Sequence, residues 1–138
     1  MKCMIVDGQG GKMGRMVIEE LKQRGFSGTL YAIGTNSIAT STMLKAGAEH
    51  GATGENPVVR NAQDADLIIG PIGIVVANAI LGEVTAKMAE AVGSSHAHKI
   101  LLPTGGCQVT VAGTRDLTLS EAVTCAVEEA VKFCSAHD

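Results

Sequence analysis

A run of glycines lies between the first apolar segment of the chain and the first helical pattern. Gly8, Gly11 and Gly14 fit the frame G-x-x-G-x-x-G, whereas the frame G-x-G-x-x-G fails at Met13. Glycines in a strand-to-helix turn let a phosphate approach the backbone amides at the helix start. We therefore predict a phosphate- or nucleotide-binding turn that consists of Gly8, Gln9, Gly10, Gly11, Lys12, Met13, Gly14 and Arg15. A tight turn that binds no ligand is the alternative.

A second polar segment follows the next apolar run and consists of Gly34, Thr35, Asn36 and Ser37. Dinucleotide-binding domains place an acidic residue here, which holds the ribose hydroxyls, and this segment has none. Neutral donors at a helix start suit a phosphate better than a ribose. The predicted cofactor is therefore NADP in preference to NAD. Helix capping by Asn36 or Ser37 is the alternative.

A third candidate segment follows a buried apolar run and consists of Gly70, Pro71, Ile72 and Gly73. In a dinucleotide site this segment would lie against the pyrophosphate and the adjacent ribose. Asn78 and Glu83, near the start of the next predicted helix, are expected to face the same crevice. A strand-to-helix turn marked by proline and glycine is the alternative.

The sequence offers little that points to catalysis. Its single tyrosine, Tyr31, lies inside a predicted strand, and no histidine or cysteine pair has the spacing of metal ligands. We assign no catalytic residue and no metal site. The polar loop 51–56 is a candidate to close over a ligand, and a plain surface loop is the alternative.

Alternating apolar patterns and glycine or proline breaks predict the elements that position these segments. The predicted strands are 2–7, 29–33, 57–60, 66–70, 98–102 and 108–112, with a turn at 104–106 and a loop at 48–56. The predicted helices are 12–24, 36–46, 75–92 and the segment after Thr118, where Glu121 completes a capping box. This order is typical of a doubly wound, largely parallel α/β sheet with three layers, which is a Rossmann-like fold. We expect the first strand at its centre, between the second strand and the 66–70 strand.

Composition excludes several partners. The 138 residues suit one domain, 1–138, with a net charge of −3 and only 2% aromatic residues. This composition offers neither electrostatic attraction nor stacking platforms for nucleic acid. The apolar stretch 67–81 is interrupted by glycine, proline and asparagine, which argues against a membrane span. Four widely spaced cysteines and no signal-peptide pattern predict a cytoplasmic protein.

Two resemblances add to this reading. The segment Ile5–Arg15 (IVDGQGGKMGR) resembles the opening of the dihydrodipicolinate reductase type of NAD(P)-binding domain. The chain as a whole resembles a family of short bacterial Rossmann-like proteins of uncharacterised function, through VDGQGG (6–11), IGTNSIATSTMLKAGA (33–48), GATGEN (51–56), IIGPIGIVVANAILGE (68–83) and MAEAVGSS (88–95). This resemblance implies a Rossmann-like fold and no established reaction. The loops after the second and central strands are also similar to the phosphate loops of methylglyoxal-synthase-like folds, without their acidic residue.

Three functional hypotheses follow. The first is a small sensing or binding module for NADP or NAD. The second is an NAD(P)-dependent oxidoreductase whose active site is completed at a dimer interface, because no second domain remains to hold a substrate. The third is an enzyme of the methylglyoxal-synthase-like type that acts on a phosphorylated metabolite. A homodimer is predicted from the apolar segment 75–92 and the last helix. We also expect Gly11→Val to abolish nucleotide binding and leave the fold nearly intact.

Overall fold

The computed structural model describes residues 1–103 and 108–137. The predicted turn at 104–106, and Cys107 after it, lie outside the described residues. The strands are β1 (Lys2–Asp7), β2 (Thr29–Gly34), β3 (His50–Thr53), β4 (Leu67–Pro71) and β5 (His98–Leu102). The helices are α1 (Lys12–Gln23), α2 (Ser37–Lys45), α3 (Glu55–Ala62), a 3₁₀ helix (Ile72–Val75), α4 (Ala86–Ser94) and α5 (Leu119–Ala136).

The five strands form one parallel sheet in the order β3-β2-β1-β4-β5. This confirms the predicted doubly wound α/β fold and the central position of β1. The register pairs Asp7 with Gly34 at the carboxyl ends of β1 and β2, and Ile5 pairs with Ile69 of β4. The glycine turn after β1 therefore lies beside the segments that follow β2 and β4, as expected for the ligand crevice of such sheets.

Alternate residues of β1 enter two separate cores, because successive side chains of a strand point to opposite faces. Cys3 and Ile5 pack on the side of α1, α2 and α5, while Met4 and Val6 pack on the side of α3 and α4. Burial of the side chains of Met4, Ile5 and Val6 stabilises the fold by about 1.5–3 kcal/mol each. The glycine turn thus follows a strand that is held from both faces.

The prediction of a strand at 57–60 after a long loop was wrong. The loop contains β3, and the next element is the helix α3, which begins at Glu55. Pro57 lies in the first turn of this helix, where a missing N–H costs no intrahelical hydrogen bond. Val58 and Ala62, four residues apart, form its buried face. Two adjacent valines suit a strand, but the buried residues Val58 and Ala62 have helical spacing.

The predicted helix over 75–92 was also wrong in its first half. Residues 76–85 are irregular, and α4 begins only at Ala86. Thr85 caps α4 by accepting a hydrogen bond from the Met88 amide at 3.2 Å. The apolar residues of this segment recur every four positions, which imitates a helix, although Gly82 and the capping Thr85 interrupt it. The predicted strand at 108–112 is likewise irregular.

The other predicted ends of helices agree with the structure. Asn36 caps α2 by accepting a hydrogen bond from the Ala39 amide at 2.9 Å. Thr118 and Glu121 form the predicted capping box of α5. The buried face of α5 packs against the chain's own core, so its apolar character alone does not call for a second subunit. None of the described helices is long and apolar enough to cross a bilayer.

Candidate functional site: a glycine turn at the centre of the sheet

A cavity of about 270 Å³ lies at the carboxyl end of β1, over the start of α1. Its lining residues are Asp7, Gly8, Gln9, Gly10, Gly11, Lys12, Met13, Pro71, Ile80 and Leu119. The structure therefore brings together six of the eight candidates predicted in the first segment and one candidate of the third. The Thr35 and Asn36 side chains lie next to Gly8 and Gln9, at the β2 side.

Three glycines of this turn are required by packing within the chain. A Cβ at Gly8 would lie 2.6 Å from Thr35 Oγ1, and a Cβ at Gly11 would lie 2.8 Å from the carbonyl oxygen of Ala39. A Cβ at Gly14 would collide with the Met43 side chain. The G-x-x-G-x-x-G frame is therefore explained by the close approach of β2 and α2, with no ligand needed.

Gly10 differs from these three glycines. A Cβ at this position would meet nothing within 4 Å, and Gly10 does not have the positive φ that favours glycine. The residue is exposed and lines the cavity. Packing and backbone conformation therefore leave its missing side chain unexplained, and the space beside it is free for a ligand.

The Asp7 side chain stabilises the glycine turn through two hydrogen bonds. Its Oδ1 accepts a hydrogen bond from the Gly8 amide and its Oδ2 accepts one from the Gly14 amide, both at 2.8 Å. Asp7 thus caps α1 in place of Gly11, which has no side chain. Burial raises the pKa of Asp7, and the nearby Glu83 adds to this rise, while the two amide hydrogen bonds oppose it.

The first two residues of α1, Lys12 and Met13, both line the cavity. The first i−4 hydrogen bond of the helix runs from the Arg15 amide to the Gly11 carbonyl at 2.9 Å. The Gly14 amide donates its hydrogen bond to Asp7 Oδ2. The amides of Lys12 and Met13 precede that of Arg15, which is the first to donate to a carbonyl of the helix, so they are available to an anion.

Glu83 reaches this region from the irregular 76–85 segment. Its Oε1 accepts hydrogen bonds from the Gln9 amide at 2.9 Å, the Thr35 hydroxyl at 2.6 Å and the Asn36 side-chain amide at 2.8 Å. Partial burial disfavours its ionised form, but these hydrogen bonds outweigh burial and lower the pKa of Glu83. We call this arrangement of Gly8, Gln9, Thr35, Asn36 and Glu83 the Glu83 corner.

The remaining sequence candidates do not line the cavity. Arg15 pairs along the helix with Glu19 at 3.0 Å. Ser37 is exposed at the start of α2, and Gly34 is packed under Thr40. Gly70 is packed under the carbonyl oxygen of Val6, while Ile72 and Gly73 form part of the 3₁₀ helix.

Sequence reasoning placed Glu83 near the crevice but missed its partners, and it missed the role of Asp7. An aspartate directly before the first glycine was the available signal for a side chain that caps the turn. No comparable signal linked Glu83 to Thr35, because the hydrogen bond joins residues far apart in the chain. Among the residues that the structure describes, no group of three histidines, cysteines or carboxylates gathers to hold a metal ion.

The parallel sheet and the glycine turn at its central strand define a Rossmann-like protein. The chain belongs to the family described as "Domain of unknown function (DUF3842)", whose match spans residues 2–135. This confirms the predicted resemblance to an uncharacterised Rossmann-like family, whereas the likeness to dihydrodipicolinate reductase stays a prediction. No curated protein matches the chain.

Among solved structures, the fold is similar to that of a dodecameric FMN-dependent UbiX-like decarboxylase from Escherichia coli O157:H7. The two proteins are 11% identical, with a TM-score of 0.47, and the similarity covers 98% of this chain and 95% of that chain.

Proposed function

We propose that this protein binds a phosphate-bearing nucleotide, with its phosphate seated on the backbone from Gly10 to Met13. The observation that carries this proposal is the cavity over the start of α1, where Gly10 leaves open space next to Lys12 and Met13. Packing accounts for the other glycines of the turn, and a bound anion accounts for this one, because a side chain here would stand in its place.

The chemistry of the helix start supports the same ligand. The Lys12 and Met13 amides, the positive end of the helix dipole and the exposed Lys12 ammonium all favour a phosphate. Cavities that bind small molecules typically measure about 300–1,000 Å³. A cavity of about 270 Å³ therefore suits a small phosphorylated ligand or one end of a larger one.

The preference for NADP stays a prediction, and one of its grounds is weakened. It rested on the lack of an acidic residue after β2, whereas Glu83 brings a carboxylate to Thr35 and Asn36 from another segment. A binding or sensing module is the form of the proposal we favour. The two enzymatic hypotheses, the homodimer and the cytoplasmic location also stay predictions.

The test is a calorimetric titration of the wild-type protein and Gly10→Val with AMP, FMN and inorganic phosphate. Valine at position 10 places its Cβ in open space in the turn, with nothing within 4 Å, so we expect affinity to fall by about tenfold or more, with the thermal midpoint nearly unchanged. Gly93→Val is the matched control, since Gly93 also has nothing within 4 Å of an added Cβ and lies in α4.

Two results would contradict the proposal. One is that the wild-type protein binds none of the three ligands. The other is that Gly10→Val binds them as tightly as Gly93→Val does, which would remove the glycine turn from the site.

A further inference from the structure

We propose that Glu83 is a specificity-determining residue, which excludes dinucleotides by filling the corner that their adenosine ribose would occupy. This inference rests on the proposed function and narrows its ligand to a mononucleotide or a smaller phosphate ester. The inference rests on one observation: the Glu83 carboxylate contacts the segments that follow both β1 and β2.

The position of that ribose follows from the architecture. In a β-α-β dinucleotide site, the adenosine ribose lies between the first glycine of the turn and the end of the second strand, where a side chain accepts its hydroxyls. Here those two places are Gly8 and Thr35, which follow the paired residues Asp7 and Gly34. The Glu83 corner is therefore the place where a dinucleotide would have to enter.

The corner is already occupied by the chain itself. A Cβ built on Gly8 would lie 2.9 Å from Glu83 Oε1 and 3.3 Å from Ile80 Cδ1, so these two side chains lie close against the first glycine. The donors of the corner are also engaged, because the Gln9 amide, the Thr35 hydroxyl and the Asn36 side-chain amide all donate to Oε1. A ribose would have to displace the Glu83 and Ile80 side chains and replace the three hydrogen bonds to Oε1.

The backbone at Glu83 is fixed by hydrogen bonds within a turn. Its amide donates to the Ile80 carbonyl at 2.9 Å, and the Asn78 amide donates to the Val84 carbonyl at 2.7 Å. Asn78, Ile80 and Leu81 have positive φ values of 68°, 55° and 53°. Such conformations persist in residues other than glycine only where the surroundings impose them.

The phosphate position adjoins the Glu83 corner, because Gly8 and Gln9 line the cavity whereas Thr35, Asn36 and Glu83 do not. The cavity over Gly10, Lys12 and Met13 is empty space, whereas the corner at Thr35 is filled. A ligand with one phosphate can therefore bind over the helix start and extend toward Pro71 and Leu119, which also line the cavity. A dinucleotide would have to occupy both the cavity and the Glu83 corner.

The experiment compares the affinities of AMP, NAD and NADP for the wild-type protein, Glu83→Ala and Glu83→Gln. We expect the wild-type protein to bind AMP about tenfold or more tightly than either dinucleotide. Glu83→Ala opens the corner, so the ratio of AMP to NAD affinity should fall by about tenfold. Glu83→Gln keeps the volume and should keep most of the preference. Glu90→Ala removes the same charge from the exposed side of α4 and should keep the wild-type ratio.

Two results would overturn the inference: equal affinity of the wild-type protein for AMP and NAD, or a loss of NAD affinity in Glu83→Ala, which would make Glu83 the acceptor of the ribose. If AMP binding depends on Gly10 while either result is found, the proposed function stands and only this inference fails. If the wild-type protein binds no nucleotide, both fail. Should Glu83→Ala prove unfolded by circular dichroism, Glu83→Asp replaces it. This variant shortens the side chain by one methylene, and the ratio of AMP to NAD affinity should fall in the same direction.

Discussion

The turn after β1 and the 76–85 segment after β4 meet at the same crevice but are built differently. Both contain residues in the left-handed region. In the turn, Gly11 takes the tightly packed left-handed position at φ 75°. In the 76–85 segment, Ile80 and Leu81 take such positions, although side chains disfavour them. The turn holds one residue other than glycine in this region, Gln9 at φ 48°, whereas the segment that carries Glu83 holds three, Asn78, Ile80 and Leu81, so that segment is the more strained of the two.

The strongest test of this comparison is Gly11→Val against Gly10→Val. A valine at position 11 combines a left-handed backbone with a collision against the Ala39 backbone. We expect a loss of about 3 kcal/mol or more in the free energy of unfolding. Gly10→Val should lose less than about 0.5 kcal/mol. Urea denaturation measures both.

The packing at Gly11 argues against the sequence-based expectation that Gly11→Val leaves the fold nearly intact, because a Cβ there would lie 2.8 Å from the carbonyl oxygen of Ala39. We expect a variant with affinity lost and stability unchanged at position 10 instead, where an added Cβ would meet nothing within 4 Å. Equal stability of the two variants would show that the packing of α2 against the turn is not what requires glycine.

A second test addresses the strain of the 76–85 segment at Leu81. Its side chain is 95% exposed, so replacement removes little packing. Leu81→Gly relieves the left-handed strain and should stabilise the protein by about 0.5 kcal/mol, after subtraction of the added freedom of the unfolded chain. Leu81→Ala keeps the strain and serves as the control, with a thermal midpoint close to wild type. A less stable glycine variant would argue against strain at this position.

The smallest effect concerns the pH dependence of stability. Because hydrogen bonds lower the pKa of Glu83 in the folded protein, its contribution is present above the ordinary glutamate pKa and is lost as the pH falls through the folded value. Glu83 is partly exposed, so the contribution is below about 1 kcal/mol. Glu83→Gln should therefore flatten the acid limb of the stability curve slightly. An identical acid limb would show that the three hydrogen bonds do not favour the charged form.

The regular elements with strong local signals could be predicted from the sequence, whereas β3 and α3 could not. The β1 segment and the glycine turn carry local signals, since an apolar run, glycines and a four-residue apolar repeat follow one another. The ends of α2 and α5 were marked by Asn36 and Thr118, whose capping side chains act within their own helix start.

The Glu83 corner could not be predicted in the same way. It depends on hydrogen bonds between residues 9, 35, 36 and 83, which only the assembled sheet brings together. The 76–85 segment also has apolar residues at helical spacing, although its backbone is irregular. Local pattern and tertiary structure disagree there, and this disagreement falls beside the candidate site.

The most direct test of where the phosphate binds is an amide-resolved NMR titration of the ¹⁵N-labelled protein with AMP. Binding at the glycine turn should move the amide resonances of Gly10, Lys12 and Met13 most, with little change in Arg15 and in the α3–α4 region. Shifts that concentrate at the cavity between α3 and α4, which is lined by Val59, Lys87 and Ser94, would contradict the account and place the ligand elsewhere.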